Sequence, residues 1–403
     1  MKKKNSTIET AEEYFLHTYQ RTPLVVERGE GVYLYDEEGN KYLDFAAGIA
    51  VFALGYGNER YNGALKAQID KVIHTSNYFY NEPSVEAAKS FCEASGMDGV
   101  FFTNSGTEAI EGAVKLARKY YYRKNGVAEG EIIAMNHSFH GRSMGALSVT
   151  GQPKYQEAFA PMIGNVKFAT FNDLESVKRC LTEKTCAVLV EPVQGEGGLY
   201  PATKEFMKGL RELCDEHDLL LMLDEIQCGM GRTGTMFAYE QYDILPDVIT
   251  SAKALGCGIP VGVFAARGKA AKVLEPGDHG TTYGCNPLAG TAVKVVFEEF
   301  DRLQVLDNVK EMGAYLEARL DELVDEFSFV KERRGVGLMQ GLEMEIGVGE
   351  ILTKARAAGV IVIAAGANIV RFVPPLVIEK EHVDEMIGVL KQCFFEVQLE
   401  MNK

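Results

Sequence analysis

Apolar and polar positions alternate through residues 31–45 (GVYLYDEEGNKYLDF) on either side of Glu38-Gly39-Asn40. This pattern predicts a β-hairpin closed by a tight turn, placed in a small edge sheet. From about residue 99 the texture changes. Short unbroken apolar runs at 99–103, 131–135, 187–190, 219–223 and 247–251 alternate with helical stretches, one of them after Ser105 and another over 205–217. Runs of this kind belong to strands buried on both faces, and strands separated by helices pair in parallel. After about residue 300 the pattern changes again. Residues 301–327 read as one amphipathic helix, 335–345 as a strand, 353–359 as a helix, and 369–373 as a strand stopped by Pro374-Pro375. The class is α/β, a mainly parallel sheet flanked by helices, followed by a smaller α+β domain. With no repeat or flexible linker between them, the two should pack tightly.

Composition narrows the function. The 403 residues are 46% hydrophobic and 25% charged, ordinary for a globular protein of about two or three domains. A formal charge of -15 with no basic run excludes nucleic acid as the main partner, since phosphate binding needs a concentrated positive face. No apolar run approaches the roughly 20 residues that span a bilayer. Met1 to Lys4 is basic, but an acidic stretch follows where a signal peptide needs an apolar one. The chain therefore reads as soluble, unexported and cytoplasmic. Eight cysteines at irregular spacing, with no C-x-x-C pair, read as reduced thiols. His137 and His140 stand three apart without a third ligand nearby, so no metal is expected.

Three short strings carry other chemistries. Gly229 to Gly234 spells the dinucleotide fingerprint G-x-G-x-x-G, but the strand-turn-helix context is missing. Gly262 to Lys269 resembles a P-loop but has five residues between its glycines and Ala270 where a hydroxyl is needed. Gly141 to Gly145 spells the esterase elbow G-x-S-x-G. Asp224 and His279 follow Ser143 in the right chain order, which makes a serine hydrolase the rival reading, although polar loop runs into Gly141 instead of a strand.

The ends of three apolar strands carry unusual residues, and ligands of parallel sheets bind outside such ends. The run 99–103 leads into Asn104-Ser105-Gly106-Thr107-Glu108, where backbone N–H groups and two hydroxyls would meet an anion; a capping box gives the same spacing. The run 219–223 ends in Asp224, which is costly to bury without a cation or strong donors, or is a turn residue. The run 247–251 delivers Lys253, either a desolvated nucleophile toward carbonyls or a surface lysine. An anion cradle, a carboxylate and a lysine are together the three parts that a pyridoxal phosphate enzyme needs.

At this point the sequence resembles the class III pyridoxal-phosphate-dependent aminotransferases, and most nearly their acetylornithine branch. The resemblance runs through Gly48-Ile49-Ala50-Val51, Asn104 to Ala109, Phe139-His140-Gly141-Arg142, Glu191 to Gly198, Asp224-Glu225-Ile226-Gln227, Ser251 to Ala254 and Arg371 to Leu376. It implies a fold-type I transferase with a large cofactor domain over 56–300 and a small domain over 301–403, to which residues 1–55 contribute. Lys253 would bond covalently to the cofactor and move the proton. Asp224 would pair with the ring nitrogen, Gln227 would sit near the ring hydroxyl, and Phe139 and Ile226 would cover the two ring faces. Ser105, Gly106 and Thr107 would hold the phosphate, joined by Thr282 of a neighbouring subunit in a homodimer.

For substrates the resemblance implies N-acetylornithine and 2-oxoglutarate in arginine biosynthesis, with glutamate as the second product. Ornithine, succinylornithine, succinyldiaminopimelate and 4-aminobutyrate are the alternative amines. Arg142 would bind the α-carboxylate of acetylornithine or the distal carboxylate of glutamate. Arg371 would take glutamate's α-carboxylate, with Glu196 as its counter-ion when that carboxylate is absent. Phe52 replaces the branch's usual asparagine and bears on the acyl group.

Overall fold

The computed structural model describes residues 6–401. Seven strands form the central sheet in the order Gly99–Thr103, Gly262–Ala266, Val248–Ser251, Leu220–Asp224, Thr185–Val190, Glu131–Met135, Val166–Ala169. Successive side chains of a strand point to opposite faces, and here they sort into two apolar cores. Ile133, Val188, Leu221, Leu223 and Ile249 belong to one; Ile132, Ala187, Leu220, Met222 and Val248 belong to the other. The helix Gly106–Asn125 covers the second face with Ile110, Ala113, Val114 and Ala117, while Lys204–Glu216 lays Phe206, Leu210 and Leu213 on the first. Burial on both sides is why these strands read as unbroken apolar runs.

The sheet is parallel except at Gly262–Ala266, which is antiparallel to both neighbours. Only ten residues separate Ser251 from Gly262, and a parallel return needs a crossover of a dozen or more.

Besides a two-stranded ribbon of Val193–Gln194 and Tyr200–Pro201, there are two four-stranded sheets. One is an antiparallel sheet of Val330–Val336, Met339–Met344, Ile369–Phe372 and Ile363–Ala364. In the other, the expected hairpin appears as Tyr33–Asp36 and Lys41–Asp44, joined by Val26–Glu30 on one side and by Val360–Ile361 on the other.

Two expected elements are each divided. The expected helix over 301–327 is the end of Pro287–Arg302 followed by Val305–Glu326, because Gln304 takes φ +51 and turns the chain. The expected strand over 335–345 is a hairpin, reversed at Gly337 with φ +58; the apolar Leu338 in the turn hides the signal.

Candidate active site

Four strand ends come together through the register pairs Thr103↔Gly262, Val263↔Ser251 and Thr250↔Asp224. At this edge lies a cavity of about 440 Å³, walled by Ser105, Gly106, Thr107, Phe139, Arg142, Asp224, Ile226, Gln227 and Lys253. Arg371, paired with Glu196, donates to Gln227 of this wall. Thr282 is placed elsewhere, in a second cavity with Ser76, Asn77 and Tyr78.

At the start of the Gly106–Asn125 helix both readings of Ser105 hold together. Its Oγ caps the helix by accepting from Glu108 N–H at 3.3 Å, which leaves the hydroxyl proton free to donate. Glu108 reaches back to Asn104 N–H at 2.7 Å. The N–H groups of Gly106 and Thr107 have no acceptor among the described residues, so the helix end presents open donors to an anion. A Cβ at position 106 would lie 2.9 Å from Ile226 Cδ1, so a side chain there has to displace Ile226 at the cavity wall.

Asp224 is 4% exposed and held at both oxygens, with one acceptor position of Oδ2 still open: Oδ2 meets His140 Nδ1 at 2.7 Å, while Oδ1 accepts from Ile226 N–H at 3.0 Å and Thr250 Oγ1 at 3.2 Å. Burial works to lower the affinity of His140 for a proton, but the bond and charge of Asp224 outweigh it and hold the imidazole above its ordinary range. Glu191 stands close by, raised well above the usual carboxylate range by burial. Its two oxygens accept from Phe139 N–H at 3.0 Å and Gly195 N–H at 3.3 Å, tying the loop of Phe139 and Arg142 to the loop of Glu196. Neither His140 nor Glu191 was assigned a site role from sequence, although both lie in blocks that carry the resemblance.

Lys253 leaves the strand Val248–Ser251 at φ +48, and its amine makes no hydrogen bond or ion pair among the described residues. Burial lowers its pKa to about 8; the positive charge of Arg371 adds to this, and Glu196, Asp224 and Glu191 oppose it. Arg371, on the strand Ile369–Phe372, is 3% exposed and pairs with Glu196 at 2.6 Å; it also donates to Gln227 Oε1 and Ala364 O, both at 3.2 Å. Arg142 lies over the Tyr155 ring at 3.9 Å and has no ion pair among the described residues.

Phe52 does not line the cavity; its neighbour Val51 does. The Phe52 ring packs on Tyr56 and over Gly258, where a Cβ would lie 2.8 Å from Phe52 Cζ.

The hydrolase reading fails on geometry. Ser143 Oγ donates to Glu111 at 2.6 Å and meets Thr107, Asp224 is taken by His140, and His279 Nδ1 lies against Lys115 at 3.0 Å. Gly229 to Gly234 forms turns around the buried Arg232 and opens no strand-to-helix junction. By contrast, open amide donors, a buried carboxylate and an unpartnered amine around one cavity fit a phosphorylated pyridine aldehyde.

The sequence profile of the family Aminotransferase class-III matches residues 14–394. The acetylornithine aminotransferase of Methanocaldococcus jannaschii is 45% identical, over 97% of this chain and 98% of its own. The succinylornithine transaminase of Citrobacter koseri is 44% identical, over 94% of each. The structure of the ornithine aminotransferase from Toxoplasma gondii, described with partial occupancy of PLP at its active site, superposes with a TM-score of 0.95 at 29% identity, covering 98% of this chain and 95% of that one.

Proposed function

This chain belongs to the class-III aminotransferases, and we propose that it moves the δ-amino group of N-acetylornithine to 2-oxoglutarate, giving N-acetylglutamate 5-semialdehyde and glutamate. The observation that carries this reading is the Arg371–Glu196 pair beside Lys253, with Arg142 left free. The two substrates make opposite demands. Glutamate bears a carboxylate on the reacting carbon and a second one far from it; N-acetylornithine bears only the distant one. Arg142 binds the distant carboxylate in both cases. Arg371 receives the near carboxylate when there is one, and Glu196 neutralises Arg371 when there is none. A buried guanidinium without a counter-ion is costly, so a site that takes both substrates needs a movable acid. Glu196 suits that role: it is more exposed than Arg371 and is followed by Gly197 and by Gly198, at φ +124.

Pyridoxal phosphate, when bound, supplies the aldehyde that takes up the amino group and the ring that accepts the electron pair. Ser105, Gly106 and Thr107 hold its phosphate. Asp224, fixed by His140 and Thr250, holds a proton on the ring nitrogen. Phe139 and Ile226 would cover the ring and keep water away, and Gln227 would serve its hydroxyl. Lys253, whose buried amine has its proton affinity lowered, would supply the nucleophile that such an aldehyde needs and, at its Nζ, the base that holds and returns a proton. The active form is a homodimer in which Thr282 completes the phosphate site of the neighbouring subunit.

The test is a visible absorption spectrum of the protein with pyridoxal phosphate, recorded after adding N-acetylornithine and then 2-oxoglutarate. The long-wavelength band is expected to bleach with the amine and return with the keto acid, with kcat/KM higher for N-acetylornithine than for ornithine, N-succinylornithine, succinyldiaminopimelate or 4-aminobutyrate. A band that bleaches faster with another of these amines reassigns the substrate, and a protein that develops no band overturns the reading.

A further inference from the structure

Of the G-x-S-x-G string only Arg142 has a part in the proposed reaction, yet its three defined positions, Gly141, Ser143 and Gly145, close on one face of one helix. Thr107 and Glu111 lie four residues apart on Gly106–Asn125 and therefore share that face. Gly141 packs so tightly that a Cβ would lie 2.3 Å from Thr107 Oγ1, and a Cβ on Gly145 would lie 2.1 Å from Glu111 Oε2. Between the two glycines, Ser143 Oγ donates to Glu111 Oε1 at 2.6 Å, and the same oxygen accepts from the N–H groups of Gly145 at 2.9 Å and Ala146 at 3.2 Å. An oxygen that already accepts amide hydrogens has no proton to give, so the single hydroxyl hydrogen of Ser143 is committed to it. The 2.9 Å contact between Thr107 Oγ1 and Ser143 Oγ then has Thr107 as donor, and the Ser143 N–H donates back to Thr107 Oγ1 at 3.3 Å.

We propose that Ser143 is a positioning residue of the anion cradle: together with Glu111 it turns the Thr107 hydroxyl away from the phosphate, so that Thr107 serves the anion through its backbone N–H and the hydroxyl donor comes from Ser105. The inference rests on the pyridoxal phosphate reading of the site. It also gives each defined position of the string a reason. The glycines are the sites where any side chain would strike Thr107 or Glu111, and the serine is the hydroxyl that links them.

The test titrates apoprotein with pyridoxal 5′-phosphate and, separately, with pyridoxal, which lacks the phosphate. The variants are Ser143→Ala, Ser143→Thr, Thr107→Val and the double Ser143→Ala/Thr107→Val. Ser143→Ala and Thr107→Val are each expected to weaken pyridoxal phosphate by roughly three- to tenfold, the scale of one neutral hydrogen bond. The double variant should be no weaker than the worse single one, because both remove the same bond. Pyridoxal affinity should stay at the wild-type value throughout, and Ser143→Thr should restore phosphate-dependent affinity. A loss of roughly a hundredfold or more in Thr107→Val with Ser143→Ala silent, or an additive double variant, means that the hydroxyl reaches the phosphate directly and overturns the proposal. Equal losses for both compounds, with a lower melting temperature, make Ser143 merely structural and overturn it too. A wild-type protein that binds neither compound overturns the cofactor reading itself, and this inference with it.

Discussion

Lys253 draws its reactivity from its surroundings: a strand end delivers it to a cavity where burial and the charge of Arg371 disfavour its protonated form. With a pKa of about 8, the free amine makes up about a tenth of the protein at pH 7 and half at pH 8. The rate at which apoprotein takes up pyridoxal phosphate is therefore expected to rise about fivefold between these values and to level off above them. A rate that is flat from pH 7 to pH 9 would show that the free amine does not limit uptake. At Glu196 the expected effect is on one half-reaction only. Glu196→Ala leaves Arg371 unpaired, so amine transfer from N-acetylornithine should slow about tenfold or more while transfer from glutamate stays within about threefold. Single-turnover absorbance traces of the two half-reactions measure this, and equal slowing would remove the switch role. The sequence marked these residues by their type and place at strand ends. It left His140 and Glu191 without roles, because an imidazole that braces a buried carboxylate carries no local pattern; only the fold brings residue 140 to residue 224.

Among the elements, the turn Ala47–Ala50 departs furthest from ordinary backbone. Four consecutive residues take positive φ (+46, +62, +64 and +63), three of them not glycine. It winds as one left-handed turn, with Ala50 N–H donating to Ala46 O and Val51 N–H to Ala47 O. Left-handed backbone costs L-residues roughly 1–2 kcal/mol each, so something must hold it. Asp44, 1% exposed, does so by accepting from Ala46 N–H at 2.8 Å, Ala47 N–H at 3.0 Å and Tyr56 O–H at 2.6 Å. The turn delivers Val51 to the cavity wall. Asp44→Ala strands three donors and is expected to destabilise by about 2–4 kcal/mol in urea unfolding. Ile49→Gly is expected to leave the melting temperature unchanged or raise it, because relief of strain at a half-exposed side chain offsets the entropy of glycine. A clear drop would mean that the Ile49 side chain supports the turn. None of this was legible in Gly48-Ile49-Ala50-Val51, nor was the break at Gln304, because non-glycine residues at positive φ leave no mark in an apolar pattern.

Across the whole molecule, the placement of Thr282 away from Lys253 supports a shared site, as does Tyr78, which lines the Thr282 cavity at 94% exposure. If Thr282 serves the neighbouring subunit, Lys253→Ala and Thr282→Glu should each be inactive alone. Random 1:1 mixing during refolding should then recover about a quarter of the wild-type sites, since half the dimers are hybrids and each hybrid holds one intact pair. No recovery, with hybrids present by mass, would place Thr282 in its own subunit's site. Among the described residues no helix is long and apolar enough to cross a membrane.

By itself the sequence determined the alternation of strands and helices, the apolar runs of the sheet, and the residue types at three strand ends. Each of these is a local property, fixed by burial on two faces and by the residues just past the last apolar position. The tertiary structure decided which strand ends meet, which carboxylate holds which base, and how Ser143 is used. It also set Gly262–Ala266 between Val248–Ser251 and Gly99–Thr103 and kept Phe52 out of the cavity wall. Those outcomes depend on register and on contacts between residues tens to hundreds of positions apart, where one string of letters is compatible with a hydrolase elbow and with a brace for an anion cradle. The neighbours across the fold choose between them, because a hydroxyl has one proton and Glu111 takes it.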